Sequence, residues 1–273
     1  MFRDKVLIFK LFLNIVQAFF LSQVFPGTCL YAAAGSRETG LQAFYERPPE
    51  RNVRIAESVE MQFCRIPGGE FLWDSPENDG TGQSEQQKVS IAHGFWLGKY
   101  EVTQKQWQAL MGTNPSAFKG ENRPVELVSW HDCLEFIDKL NRRTGKKFRL
   151  PRESEWELAC RAGTDTGYYW GNSIAEEGDY CWSGLNSKGQ THCVGEKKPN
   201  RWGLYDMNGN VWEWCQESSG WDNYIDLPRG RWYVARGGSW FTFGESCGSS
   251  IRTYNSPDSR FDDFGFRLAC DEL

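Results

Sequence analysis

Residues 234–269 read VARGGSWFTFGESCGSSIRTYNSPDSRFDDFGFRLA, and the ends of this stretch differ from its middle. Gly237-Gly238-Ser239-Trp240 and Gly265-Phe266-Arg267-Leu268 look like rigid frame, whereas the residues between them follow no period of 2 or 3.6. An aperiodic run predicts irregular structure rather than helix or strand. Long irregular segments inside compact domains are usually functional or disordered, and the aromatics closed by an apolar anchor favour function. Aromatic side chains mixed with small polar ones are also the palette of antibody paratopes. The residues expected to face a ligand are Phe241, Thr242, Phe243, Ser246, Gly248, Thr253, Tyr254, Ser256, Ser259, Phe261, Asp262 and Asp263. Phe241, Phe243, Tyr254 and Phe261 are expected at the surface, and Trp240, Phe266 and Leu268 in the core. The alternative is an ordinary surface loop packed on its own aromatics.

The chain has 273 residues, enough for one large domain or two small ones. A net charge of −5 argues against a nucleic-acid protein, because neutralising phosphates needs a basic face. Thirteen Trp and 28 Gly suit a loop-rich domain whose interior is filled by large rings. Arg3 and Lys5, then the mostly apolar run Val6–Phe25, then Ala32-Ala33-Ala34 read as an export signal over 1–34. Cleavage and lipidation of Cys29 both remain open, with a transmembrane helix as a third reading. The expected destination is the cell surface or outer membrane, otherwise the periplasm. Of nine cysteines, eight remain without Cys29, an even number compatible with disulfides; buried unpaired thiols are the alternative. No C-x-x-C pair exists and the histidines are His93, His131 and His192, so no zinc site is expected.

Residues 35–60 are polar and read as a linker into a domain over 61–273. Met61–Pro67 and Phe71–Trp73 read as a hairpin closed by Gly68-Gly69, and 75–88 as a polar loop. Phe95–Val102 reads as a strand, and Thr103 with Gln106 as a capping box opening a short helix to Leu110. Ser129 opens a second helix, with Trp130, Leu134, Ile137 and Leu140 on one face. A third helix runs from Glu153 to Ala162, stopped by Gly163. From Thr164 onward turns and isolated aromatics are expected. The fold class is α+β with short helices and much irregular structure.

The stretches IPGGEF (66–71), FWLGKYEVTQKQW (95–107), RPVELVSW (123–130), FRLPRESEWELACRAG (148–163), WGLYDMNGNVWEW (202–214), RGGSW (236–240) and GFRLA (265–269) resemble the formylglycine-generating, or sulfatase-modifying factor, domain family, a variant of the C-type lectin fold. The resemblance covers about 60–270. Enzymatic members resemble a GGSxxC-x-x-x-x-C pattern whose two thiolates bind copper(I), the metal that soft thiolates select. Here Thr242 stands at the first cysteine and Cys247 at the second. With one thiol, neither a two-coordinate copper site nor a redox pair is expected, and the oxidase is read as lost.

A second branch, the variable proteins of diversity-generating retroelements, is similar in another way. Its diversified positions derive from AAY codons randomised to NNY, which cannot encode Lys, Glu, Gln, Met or Trp. In 241–263 only Glu245 belongs to that set. This resemblance implies a non-enzymatic, exported, monomeric binding protein whose ligand, a protein or another surface molecule, is chosen by 241–263. A formylglycine-generating or other oxygen-using enzyme, or a structural envelope protein, are the alternatives. The segment 206–213 (DMNGNVWE) further resembles the family's calcium loop, with Asp206 and Glu213 side chains and carbonyls near Asn208, Gly209 and Val211 as oxygen ligands. A structural calcium ion is therefore expected; the alternative is a plain turn beside core tryptophans.

Overall fold

In the computed structural model the described residues are 47–74, 86–219 and 231–273, and all of them fall in one compact unit, Thr39–Leu273. The segment 1–34 and residues 75–85 of the loop expected at 75–88 lie outside the described residues; the last three residues of that loop, 86–88, instead open a strand.

The first two strands, β1 (Glu50–Ala56) and β2 (Val59–Ile66), form a hairpin, so the supposed linker contains a strand. Strand β3 (Gly69–Asp74) pairs with β4 (Gln86–Ile91), not with β2. The hairpin expected around Gly68-Gly69 is thus corrected: one edge of β2 bonds β1 and the other bonds β5 (Phe95–Gly98), leaving none for β3. Helix α1 (Gln104–Met111) starts at the Thr103 capping box, with Gln106 Nα–H donating to Thr103 Oγ1 and Thr103 Nα–H donating to Gln106 Oε1. Helix α2 (Trp130–Thr144) has the same reciprocal cap, built from Ser129 and Asp132. Its buried face is Cys133, Phe136, Ile137 and Leu140; Leu134 points outward, correcting the expected stripe. After β6 (Phe148–Arg149) comes α3 (Glu153–Arg161), which ends on Ala162 in the left-handed conformation, one residue before the expected stop.

Beyond Thr164 the chain is more regular than its sequence suggests. A short helix α4 (Glu177–Tyr180) is followed by β7 (Trp212–Ser219), β8 (Trp232–Arg236), β9 (Arg252–Asn255), β10 (Phe264–Gly265) and β11 (Ala269–Cys270). The strands order as β1-β2-β5-β11-β6 in one sheet and β10-β7-β8-β9 in another. Apart from the eight-residue β7, these strands have two to five residues, too few to declare a period. They exist because their neighbours accept their backbone bonds.

The five-stranded sheet separates two cores. Met61, Phe63, Trp96 and Cys270 enter one core, while their neighbours Cys64, Phe95, Leu97 and Ala269 enter the other, as the alternation of a strand requires. The first core is built on the ring cluster Trp107, Phe136 and Phe266, with centroids 5.4–6.1 Å apart. The second is built on Trp156 and Trp202, both fully buried. Burying each such side chain contributes about 1.5–3 kcal/mol. This is an α+β fold of the C-type lectin-like kind, and its last third frames the candidate site.

Candidate functional site

Two glycine turns make the floor. Gly237 and Gly238 have φ of 98° and 80°, which glycine alone adopts without strain. A Cβ on Gly238 would lie 2.6 Å from Cys247 Sγ, so no side chain fits there. The second turn, Gly209-Asn210, also has positive φ. It is tied to the first by Gly209 N–H donating to the Gly237 carbonyl at 2.8 Å and Trp240 N–H donating to the Asn210 carbonyl at 2.8 Å. Asn210 Nδ2 and Val211 N–H both donate to buried Glu101, which fixes this turn from beneath.

On this floor the chain makes a short 3-10 turn (Gly244–Cys247), then β9, then a turn at Ser256–Ser259. Phe241, Phe243 and Phe261 are 47%, 58% and 42% exposed, large values for phenylalanine in a domain whose other rings are mostly buried. Trp240, expected in the core, is only half-buried; its ring meets Phe118 and Phe241 edge-on at 5.2 and 5.5 Å, and its Nε1–H donates to the Asp262 carbonyl. Phe266 and Leu268 are buried. Ser246 and Asp262 are exposed, while Ser256, Ser259 and Asp263 are half-buried.

Five of the expected ligand-facing positions, Thr242, Gly248, Thr253, Tyr254 and Asp263, are corrected to frame. Gly248 is buried, with Gly167 O only 3.3 Å from where its Cβ would be. Thr253 and Tyr254 lie in β9 opposite Ala235 and Val234, and Tyr254 packs on the second core, where burial raises its phenol. The middle of 241–263 is thus not irregular throughout, and its strand is partly frame. Thr242 is half-buried, and Oγ1 accepts from Ser239 N–H at 3.1 Å and contacts Ser239 Oγ at 3.0 Å. Ser239 Oγ in turn donates to Asp263. The hydroxyl therefore closes a turn, and it cannot stand in for a thiolate ligand. Sequence reasoning missed Leu185, which is 65% exposed. Its loop abuts the site through Gly184 N–H donating to the Thr242 carbonyl and Ser187 Oγ donating to the Trp240 carbonyl. Nothing in the local sequence marks that contact except a glycine at the point of closest approach.

The expectation that Cys247 stands alone is also corrected. Helix α4 delivers Cys181 beneath the loop, its Sγ against Gly209 on the turn that is bonded to Gly237 and Gly238, while Cys247 Sγ lies against Gly238. Contact with Cys247, together with burial, pushes the Cys181 thiol well above its ordinary range. Among the described residues every cysteine is unpaired, and all but Cys193 are buried.

Of the two side-chain calcium ligands expected, Glu213 is engaged elsewhere. Both Glu213 oxygens are held by Arg267, whose Nε–H and Nη2–H donate at 2.6 Å, and Trp156 Nε1–H adds a bond at 2.7 Å. Asn208 turns its carboxamide to the Cys247 carbonyl. Asp206 keeps one buried oxygen without a partner, while the other accepts from Gly195 N–H. Calcium takes six to eight oxygen ligands, and both Glu213 oxygens already serve the Arg267 guanidinium, so the side chains present do not fit calcium. Burial first, then the Glu213 charge, raises the Asp206 carboxyl to about 6. A folded pKa above the unfolded one means the folded state holds the extra proton between about pH 4 and 6. Stability then falls as pH rises through that window. Asp206→Asn, which suits positive φ, should therefore stabilise the protein by about 1–3 kcal/mol at pH 7 and by nothing at pH 4. Urea unfolding in chelator at both pH values checks this. A wild type that is the more stable at pH 7, by a margin that grows with added calcium, would instead place the ion at Asp206.

Residues 35–272 match the sulfatase-modifying factor enzyme 1-like domain. The chaperone protein LppX of Paenibacillus barcinonensis is 36% identical over 54% of this chain and 69% of its own length. A formylglycine-generating enzyme of Thermomonospora curvata is 36% identical over 61% of this chain, which spans 62% of the enzyme. Among solved structures, Treponema denticola variable protein 1 is similar with a TM-score of 0.70 and 32% identity, covering 82% of this chain and 99% of that one.

Proposed function

Because the chain belongs to the sulfatase-modifying factor enzyme 1-like family, whose fold alone does not fix an activity, we propose from its site that it is a non-enzymatic binding protein displaying Phe241, Phe243, Ser246, Ser256, Ser259, Phe261 and Asp262. The observation that carries this reading is three exposed phenylalanines on a loop whose anchoring turns are buried and hydrogen-bonded. Apolar surface held out of the core invites a partner. Rigid aromatics interspersed with serines give contact area and adaptable hydrogen bonds. The likeness to a Treponema variable protein supports substitution at these positions as the source of specificity. Export through 1–34, with cleavage or lipidation at Cys29, and a monomeric state complete the proposal. No copper is expected, because Thr242 closes a turn.

The oxygen-using enzyme is the second reading, favoured by Cys181 beside Cys247 and by the Thermomonospora relative. Two experiments separate the readings. Incubation with copper(I), oxygen and a sulfatase-type cysteine peptide should leave the peptide thiol unchanged; aldehyde formation would establish the enzyme. A library randomised at the seven displayed positions and selected against hen lysozyme should yield binders that return to background when those positions revert to alanine. Failure to enrich any binder would count against display.

A further inference from the structure

We propose that Cys181 and Cys247 are a disulfide-forming pair that takes small-molecule or protein disulfides as its oxidant and, once joined, staples the displayed loop to helix α4. The two residues are 66 positions apart in sequence, so nothing local predicts their meeting. Three features of the fold bring them together. Cys181 closes α4, its N–H donating to the Glu177 carbonyl at 2.7 Å. Cys247 ends the 3-10 turn, with its sulfur 3.8–3.9 Å from the Thr242 and Phe243 carbonyls. Gly209 and Gly238 then leave the room: a Cβ on either would fall 2.6 Å from the Cys181 or Cys247 sulfur respectively. The turns carrying these glycines are bonded to each other, so the two sulfurs lie in one small chamber between them.

A third thiol nearby, Cys160, faces elsewhere, towards Ser249 Oγ and Asn208 Oδ1 at 3.5 and 3.7 Å. The chamber between the two glycine turns therefore holds one pair of thiols. Gly244, which faces Glu177 so closely that any Cβ would overlap the carboxylate, brings the turn down onto α4 and keeps the chamber closed.

The chemistry is thiol–disulfide exchange. The thiolate of Cys247, itself buried but on a 3-10 turn whose Phe243, Glu245 and Ser246 are exposed, is uncovered by local opening of that turn and attacks one sulfur of the donor disulfide, forming a mixed disulfide and releasing a donor thiolate. The Cys181 thiolate then attacks the Cys247 sulfur and releases the second donor thiolate. The protons of the two cysteines end on the two donor thiolates. Two protein thiols are oxidised by two electrons, and one donor disulfide is reduced to two thiols. The staple is independent of what the displayed side chains bind, so its test does not share an outcome with the ligand reading.

Trypsin separates these cysteines: Cys160 falls in 153–161, Cys181 in 162–188, Cys193 in 189–197 and Cys247 in 237–252. The folded full chain is incubated with oxidised glutathione, quenched with acid, alkylated and digested without reductant. Mass spectrometry is expected to find 162–188 joined to 237–252, lost on reduction and absent from Cys181→Ser. The same oxidation in urea should scatter Cys247 among several partners. Were Cys247 in the folded protein recovered alkylated, glutathionylated only, or joined to 153–161 in preference to 162–188, the pairing would be wrong. Because the wild-type digest decides the matter, a variant that fails to fold leaves the test intact.

Discussion

Replacing Arg267 with methionine is expected to lower the unfolding free energy by about 3–5 kcal/mol, the usual result of breaking a buried ion pair by removing one partner. Arg267 and Glu213 are both fully buried and joined bidentately. The guanidinium also donates to the carbonyls of Gly98 and Tyr205. Without it, Glu213, Glu101 and Asp206 would face one another with no cation, and Glu101 is already pushed well above the carboxylate range by burial and by the other two acids. A domain of total stability about 5–15 kcal/mol loses much of it. The measurement is urea denaturation of Arg267→Met beside the double variant Arg267→Met/Glu213→Leu. The double variant should recover most of the loss, since an apolar pair of similar volume leaves no buried charge alone. A double variant as damaged as the single one would show that the guanidinium acts through its carbonyl bonds instead.

The second large effect contrasts two phenylalanines. Phe266 is fully buried against Trp107 and Phe136, so Phe266→Ala should cost about 3–5 kcal/mol. Phe243, more than half exposed, should change stability by no more than about 0.5 kcal/mol on the same substitution. Both are read by midpoint shifts in chemical denaturation at unchanged slope. Equal costs at the two positions would mean that the loop is part of the core.

The frame was legible in the sequence where a side chain and a backbone need coincide. Thr103 with Gln106, and Ser129, announce their helices because each cap bonds its own neighbours, Ser129 through an Asp132 that the structure adds. The anchors Phe266 and Leu268 were legible too, from the motif that carries them. What stayed hidden depends on distant partners. Strand β9 exists because β8 accepts it, and its residues alone carry no period. Glu213 read as a calcium ligand because its partner Arg267 lies 54 residues away. Cys181 and Leu185 reach the site on a segment with no motif of its own. Exposure of Phe241, Phe243 and Phe261 followed from reading the stretch as a displayed site; the half-burial of Tyr254 did not, because a four-residue strand gives no warning of which side chain turns inward.

The claim that the scaffold and the displayed side chains are energetically separate is tested most directly by a library carrying NNY codons at Phe241, Phe243, Ser246, Ser256, Ser259, Phe261 and Asp262. Displayed on cells and exposed to protease, its members are counted by resistance. The account predicts that most resist as well as the parent, while a matched library at Trp156, Trp214, Arg236, Gly238, Glu213, Phe266 and Leu268 leaves almost none. If the two libraries lose resistance to the same extent, the loop is structural and the binding reading falls.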